Sequence, residues 1–313
     1  MSRRALVIGA GVSGLTTAIV LAERGHDVLV VAEEPQGTTS RAAGAMCGPG
    51  FAPSGSPESR WEKISKRNFR ELADEEGTGV DTVNALLVAQ TSGPVPPLDP
   101  VYEARPCDPA ELPPGFGTGL RVRTQTADMP TYLSYLSGRL RHAGSRIEQR
   151  RVAHLRDAAG EAPLVVNCAG IGARELAEDP DLFPVRGQHV VVDNPGIDTL
   201  YFQMTLGSSW VSWMPHGGEV VLGGIAQAGD DRMEIDAAVA EQILAGAVAL
   251  EPRFAEAEVI EHRVGLRPTR PSVRLEAETV DRARCVHNYG HGGMGVSWSW
   301  GCAVEAADLL LSN

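Results

Sequence analysis

The stretch "ALVIGAGVSGLTTAIVLAERGHDVLVVAEE", residues 5–34, constrains the fold more than any other part of this 313-residue chain. Ala5 to Ile8 is an unbroken apolar run, which predicts a buried strand. Gly9, Gly11 and Gly14 then form GxGxxG, and helical periodicity follows from Leu15 to Arg24. Gly25 ends that helix, and Val28 to Val31 predicts a second buried strand. Gly9 permits a tight turn, Gly11 lets backbone approach a pyrophosphate, and Gly14 lets helix pack closely on strand. Val12 and Ser13 lie in this turn as further candidate contacts, and the helix N-terminus that follows offers free N–H groups and a positive dipole end to phosphate. Glu33, followed by Glu34, falls 19 residues after Gly14, where an acid holds ribose hydroxyls. The same acid would repel the extra phosphate of NADP. The segment therefore predicts an α/β, Rossmann-like domain for FAD or NAD.

Composition narrows the partners. The formal net charge of −12 argues against a nucleic-acid phosphate backbone. No apolar run reaches the ~18 residues of a membrane span. The chain's opening reads as a first strand rather than a signal peptide, because its apolar stretch runs straight into the glycine turn. Five cysteines, Cys47, Cys107, Cys168, Cys285 and Cys302, are scattered without CxxC pairs. That pattern fits reduced thiols in a cytoplasm and offers no metal site.

The segment "GTTSRAAGAMCGPGFAPSGSPES" (37–59) separates the two cofactors. A nicotinamide enzyme has little use for so long a run of small residues, whereas a flavin ring must be cradled by backbone from several sides. Thr38 and Thr39 offer hydroxyls for phosphate, and Ala43, Gly44 and Ala45 permit close approach to the ring. "PLVVNCAGIGARELA" (163–177) repeats strand, small-residue turn and helix, which places Cys168, Ala169 and Gly170 at a second approach of backbone to cofactor. A third such unit runs from strand 283–289 through a turn at Gly290 to Gly295 into a helix from Val296 to Leu311. Its helix N-terminus, aimed at the N1–C2=O edge of a flavin, would stabilise the anion formed on reduction. Val152, Gly292, Gly293, Met294, Gly295, Val296 and Ser297 complete the candidate cofactor contacts, and His291 reads as a structural imidazole.

Taken in order, "VIGAGVSGLTTA", "TTSRAAG", "VVNCAGIGARELA", "PVRGQ", "EVVLGGI", "VGLRPTRPSVRLE" and "HNYGHGGMGVSWSWGCAVEAA" resemble the D-amino-acid oxidase family of flavoenzymes over essentially the whole chain. The resemblance implies a discontinuous FAD-binding domain of residues 1–50, 130–185 and 270–313. Residues 51–129 and 186–269 would form a mixed, mainly antiparallel β-sheet domain over the flavin. It further implies oxidative deamination of D-amino acids, with hydride passing from Cα to flavin N5. The imine then hydrolyses to a keto acid, and O2 is reduced to H2O2. By the same resemblance, Arg267 clamps the substrate carboxylate and the Gly293 carbonyl accepts from the amine, with no side-chain base. One alternative stays open: Arg267 sits among Arg263, Arg270 and Arg274, so a structural ion pair is the competing reading of this residue.

The pattern breaks at the lid. Ser208 and Ser212 stand where the family places tyrosines that reach the substrate carboxylate, while Ala45 and Cys47 replace larger residues over the flavin. The candidate substrate pocket is Ser208, Trp210, Ser212, Met294 and Cys47. Either Trp210, Trp213 or Tyr201 repacks it and the protein is an ordinary D-amino-acid oxidase, or the room admits a bulky, tethered or cyclic amine. A monomer and a homodimer are both compatible with the sequence.

Overall fold

The computed structural model describes residues 3–35, 38–91, 99–205 and 207–312. Its frame is a 14-stranded mixed sheet. At one end five strands run parallel, in the order Ala283–His291, Leu164–Asn167, Arg4–Ile8, Asp27–Ala32 and Arg146–Gln149. The other end is mainly antiparallel, passing from Phe183–Asp193 through Glu219–Ile225 and Ser209–His216 to Thr199–Gln203. Val80–Ala89, Thr118–Ala127 and Glu103–Pro106 close that edge.

One strand joins the two halves. Val259–Val280, 22 residues long, pairs with Phe183–Asp193 along its first part and with Ala283–His291 along its second. The register shifts between Thr269 and Arg274, so the strand bends where it crosses from one half to the other. Hydrogen bonding is thus continuous across the molecule, and Arg267 lies just before the crossing.

Apolar alternation explains the layers. The helix Val12–Glu23 buries Leu15, Ala18, Ile19 and Leu21 against Met129–His142 and Gly295–Leu311 on the parallel end. Pro57–Ala73 packs on the last of these so tightly that a Cβ at Gly301 would lie 2.2 Å from Trp61 Cα. Ser56 caps Pro57–Ala73, accepting from the Ser59 N–H at 3.2 Å, with Pro57 at the first helical position. A second core, centred on Trp213, Tyr201 and Phe254, lies beneath Ala237–Leu250 on the antiparallel end. Among the described residues no helix is long and apolar enough to cross a membrane.

Three boundaries differ from the sequence expectation. The first helix begins at Val12 rather than Leu15, because the Gly11 carbonyl already accepts the Leu15 N–H at 2.9 Å. The last strand extends through His291, held by its pairing with Thr269, so the expected six-residue turn contracts to Gly292–Met294. After "CAGIG" the helix is one turn, Ala173–Leu176. Gly217-Gly218 turns the chain between the antiparallel partners Ser209–His216 and Glu219–Ile225.

Candidate active site

The three glycine-rich turns converge on one cavity of about 410 Å³. At its first wall the glycines are sterically required. A Cβ on Gly9, whose φ is +108°, would lie 2.2 Å from the Cys168 carbonyl oxygen, and one on Gly14 would lie 1.9 Å from the Gly9 carbonyl oxygen. The fingerprint turn is therefore locked between its own helix and the "CAGIG" turn. Gly14 supports the cavity from behind and does not line it, whereas Gly9, Gly11, Val12 and Ser13 do.

The helix opening at Val12 meets Ser40, whose Oγ accepts the Val12 N–H at 3.0 Å. Glu33 and Glu34 leave the end of Asp27–Ala32 and line the cavity with Arg150, Arg151 and Val152. Thr38, Thr39 and Ala43 also line it, and Cys168, Ala169 and Gly170 form a further wall. Behind that wall Asn167 Oδ1 accepts the Ala169 N–H at 3.1 Å, while its Nδ2 faces His287 Nδ1 at 3.3 Å. His287 Nε2 then meets Glu278 at 2.7 Å. Cys285 lies within 4.8 Å of both, a grouping with metal-ligand chemistry. Asn167 leaves His287 donating through Nε2 to Glu278, so the grouping reads as support for the turn.

The far end holds Arg267. A Cβ on Gly187 would lie 2.6 Å from both terminal nitrogens of its guanidinium, so the glycine of "PVRGQ" is what lets this side chain lie flat on the sheet. Nη1 donates to the Ile225 carbonyl at 2.9 Å and to the Arg186 carbonyl at 3.4 Å. The neighbouring arginines each have carboxylates: Arg263 has Glu261 and Glu219, Arg270 has Asp179 and Asp181, and Arg274 has Glu276 and Asp179. Arg267 forms no ion pair among the described residues, and burial pulls its pKa below the ordinary guanidinium value. A buried guanidinium without a counter-ion is an anion site. Gly293 faces it, since a Cβ there would lie 3.9 Å from Arg267 Cδ. Gly292, Gly293, Gly295 and Val296 line the cavity beside them.

Two histidines, His189 and His291, also line this space, and burial holds each down to about 4. Both are neutral at physiological pH. His291 Nε2, Thr38 Oγ1 and Asn288 Oδ1 are buried without a hydrogen-bond partner among the described residues. Sequence reasoning missed Ser40, His189, Gly265 and Asn288 as site residues. For Ser40 the signal was present, since a serine within "TTSRAAG" can cap the fingerprint helix.

Several expected positions lie apart from the cavity wall. Gly44 packs on Met214, whose Sδ would be 2.5 Å from a Cβ, and its carbonyl accepts from His216. Ala45, at φ +59°, and Cys47 are stapled to Thr118–Ala127 by backbone bonds of 3.0 and 2.9 Å. Cys47 is buried in the core, and burial pushes its thiol up to about 12. Ser297 donates to the Met46 carbonyl at 3.1 Å. Met294 reaches toward Gly50, whose Cβ would lie 2.6 Å from its methyl. Ser208 is exposed just ahead of Ser209–His216, and Ser212 is buried beside His189.

Of the three aromatics, strand alternation turns only Trp210 toward Arg267, with 5.9 Å from the guanidinium carbon to the ring. Trp213 stacks on Tyr201 at 4.2 Å and donates to the Thr199 carbonyl, which commits both to the core.

The cavity fits FAD. A glycine-lined phosphate end, an exposed acid, orphaned polar atoms along its length and an unpaired guanidinium at the far end together suit a long anionic cofactor with a carboxylate ligand beyond it. The family model described as "FAD dependent oxidoreductase" matches residues 4–309. A D-amino-acid oxidase of Rubrobacter xylanophilus is 47% identical over 313 residues, covering 98% of this chain and 95% of the relative. One of Streptomyces coelicolor is 42% identical, covering 97% and 95%. Glycine oxidase from Geobacillus kaustophilus superposes with a TM-score of 0.81 at 19% identity, covering 99% of this chain and 95% of that one, and so shares the fold. The chain belongs to the FAD dependent oxidoreductase family, and its cofactor is FAD.

Proposed function

We propose that the protein oxidises D-amino acids to imino acids, which hydrolyse to keto acids. The observation that carries this reading is the Arg267 guanidinium, buried and unpaired beside Gly293 in the cavity that the fingerprint glycines open. The D configuration rests on the relatives named above. In this reading residues 1–50, 130–185 and 270–313 hold FAD, and residues 51–129 and 186–269 cover it.

FAD, when bound, would supply the hydride acceptor and the means of returning two electrons, with two protons, to O2 as H2O2. This chain's residues supply position. Arg267 holds both oxygens of the substrate carboxylate, since its planar fork matches them and its remaining contacts are carbonyl oxygens that fix it to the sheet. The Gly293 carbonyl accepts from the substrate amine, and the two contacts together fix the Cα–H direction. Positioning of this kind can lower a barrier by several kcal/mol, and no side-chain base is needed once the amine is neutral. The neutral His291 adds no second cation beside Arg267. A cytoplasmic setting, with the enzyme a monomer or homodimer, completes the proposal.

Anaerobic bleaching of the yellow protein tests it, against a panel of D- and L-amino acids, glycine, sarcosine and D-proline. Bleaching by D-amino acids, with peroxide appearing once air returns, is the expected result. Bleaching by L-amino acids alone, or by none of the panel, would reject this substrate class. Arg267→Ala should stay yellow while kcat/KM for carboxylate substrates falls at least about a hundredfold, the scale of losing a charged hydrogen-bonded contact.

A further inference from the structure

Phe183–Asp193 carries Gly187 and His189 on one face, and both line the cavity. Gly187 lies under the Arg267 guanidinium, so His189 stands one step along the same surface. Its ring is buried, and Nδ1 lies 2.8 Å from the Ala42 carbonyl oxygen. A carbonyl only accepts, so this bond places a hydrogen on Nδ1 and leaves Nε2 with a lone pair. Nε2 has no partner among the described residues. It shares the space over Gly223 with Ser212: a Cβ there would lie 2.9 Å from Nε2 and 3.2 Å from Ser212 Oγ. The imidazole thus fills room beside the position where the resemblance expects a tyrosine.

We propose that His189 completes the carboxylate site as a proton-linked contact: the substrate carboxylate lies between Arg267 and His189 Nε2, and one proton binds Nε2 as the anion enters. This rests on the reading of Arg267 as the carboxylate clamp.

The charges around the ring support it. The charged groups facing His189 are Arg267 and Arg263, both from Val259–Val280. Arg263 is already paired with Glu219 and Glu261. The Thr39–Ala42 turn contributes only the Ala42 carbonyl, Gly223 and Ser212 add no charge, and no acid faces the ring among the described residues. Burial first, and Arg267 second, therefore keep the ring neutral when no ligand is bound. An entering carboxylate reverses the second effect. A lone pair facing a carboxylate oxygen repels it, whereas a protonated Nε2 gives a charge-assisted hydrogen bond. The imidazolium then has an acceptor at each nitrogen, Ala42 O and the substrate. The proton comes from water when the ligand lacks an amine. With an amino acid the ammonium can give it: one N–H bond breaks, Nε2–H forms, and the amine is left neutral for hydride loss.

Pyruvate, a carboxylate without an amine, is the probe. FAD-loaded protein is titrated with it calorimetrically in two buffers of unequal ionisation enthalpy, with flavin absorbance as a second readout. Uptake approaching one proton per site is expected, and Kd should rise by up to about tenfold per pH unit wherever the complex is protonated and the free site is not. His189→Gln, with His189→Asn as a second variant, should bind without uptake and with a pH-flat Kd. Wild-type binding without proton uptake between about pH 5 and 8 would overturn the proposal, as would uptake that survives in both variants. Arg267→Gln separates the two readings. Wild-type affinity in that variant would sink the clamp and this proposal with it. Lost binding there, with no uptake in the wild type, would leave the clamp standing and remove His189 alone.

Discussion

Gly187→Ala puts the carboxylate clamp under the most direct test, because it touches Arg267 without altering any charge. The new Cβ would stand 2.6 Å from Nη1 and Nη2 and 2.7 Å from Cζ. Ordinary contact begins at 3.4 Å, so the guanidinium must lift by roughly 0.8 Å. It is the end of a flexible side chain and can do so, but its 2.9 Å bond to the Ile225 carbonyl stretches out of range. That loss costs about 1 kcal/mol. Gly187 has no positive φ, and alanine in a strand interior is favoured over glycine by about 0.5–1 kcal/mol. The two terms nearly cancel, so the melting temperature should move by no more than about 3 °C. Activity has no such offset. A clamp displaced by most of an ångström should lower kcat/KM about 30- to 100-fold, equivalent to roughly 2–2.7 kcal/mol of transition-state stabilisation. Peroxide release from D-alanine reads the rate, flavin absorbance reads cofactor content, and a thermal melt reads the fold. Wild-type kcat/KM in a yellow, stable variant would refute the reasoning, because the guanidinium would then have no fixed place to lose. Loss of the flavin or of the fold would refute it differently, showing that the contact cannot relax through the side chain.

Gly9→Ala drives a Cβ to 2.2 Å from a backbone oxygen at φ +108°, and should yield colourless, poorly soluble protein by absorbance and yield. Gly301→Ala, equally crowded but against Trp61, should cost at least about 2 kcal/mol in denaturant melts while the surviving enzyme keeps its KM. His291 is held down to about 4 in the folded protein by burial. The unfolded chain takes up that proton first as pH falls, so its contribution is full above the ordinary value near 6.5 and is lost on the way down to about 4. Melts of His291→Asn should therefore be flatter across that window than those of the wild type. At Asp179 burial alone would raise the carboxyl, but the Tyr289 hydroxyl and Arg270 outweigh it and hold the group below its usual range. Its support is complete above the ordinary carboxylate value and disappears as pH falls through the lower folded one. Asp179→Asn should lose stability at neutral pH and flatten the acid limb of the melt profile below about pH 4.

How far the sequence reaches into such a site depends on the range of the contact. Gly9, Gly11, Val12 and Ser13 were legible because strand, turn and helix follow one another within a few residues, and every constraint on them is written locally. The two later turns were legible for the same reason, since each repeats strand, small residue and helix. Arg267 could be picked out only through the resemblance, for "GLRP" by itself looks like one more member of an arginine-rich strand. What distinguishes it is the pairing of its neighbours with Asp179, Asp181, Glu219, Glu261 and Glu276, of which only Glu276 lies within "VGLRPTRPSVRLE". His189 was not legible at all. Inside "PVRGQHVVVD" it reads as a polar residue on an apolar strand, and the loss of a tyrosine at Ser212 reads as empty room. Gly223 connects the two, a residue opposite Ser212 on the neighbouring strand whose missing side chain lets the imidazole lie beside the serine. Three strands meet there, and alternation within any one of them says nothing about the others. A pocket altered in this way cannot be called enlarged or repacked from the lid sequence alone, because the residue that fills it comes from a strand that carries no lid.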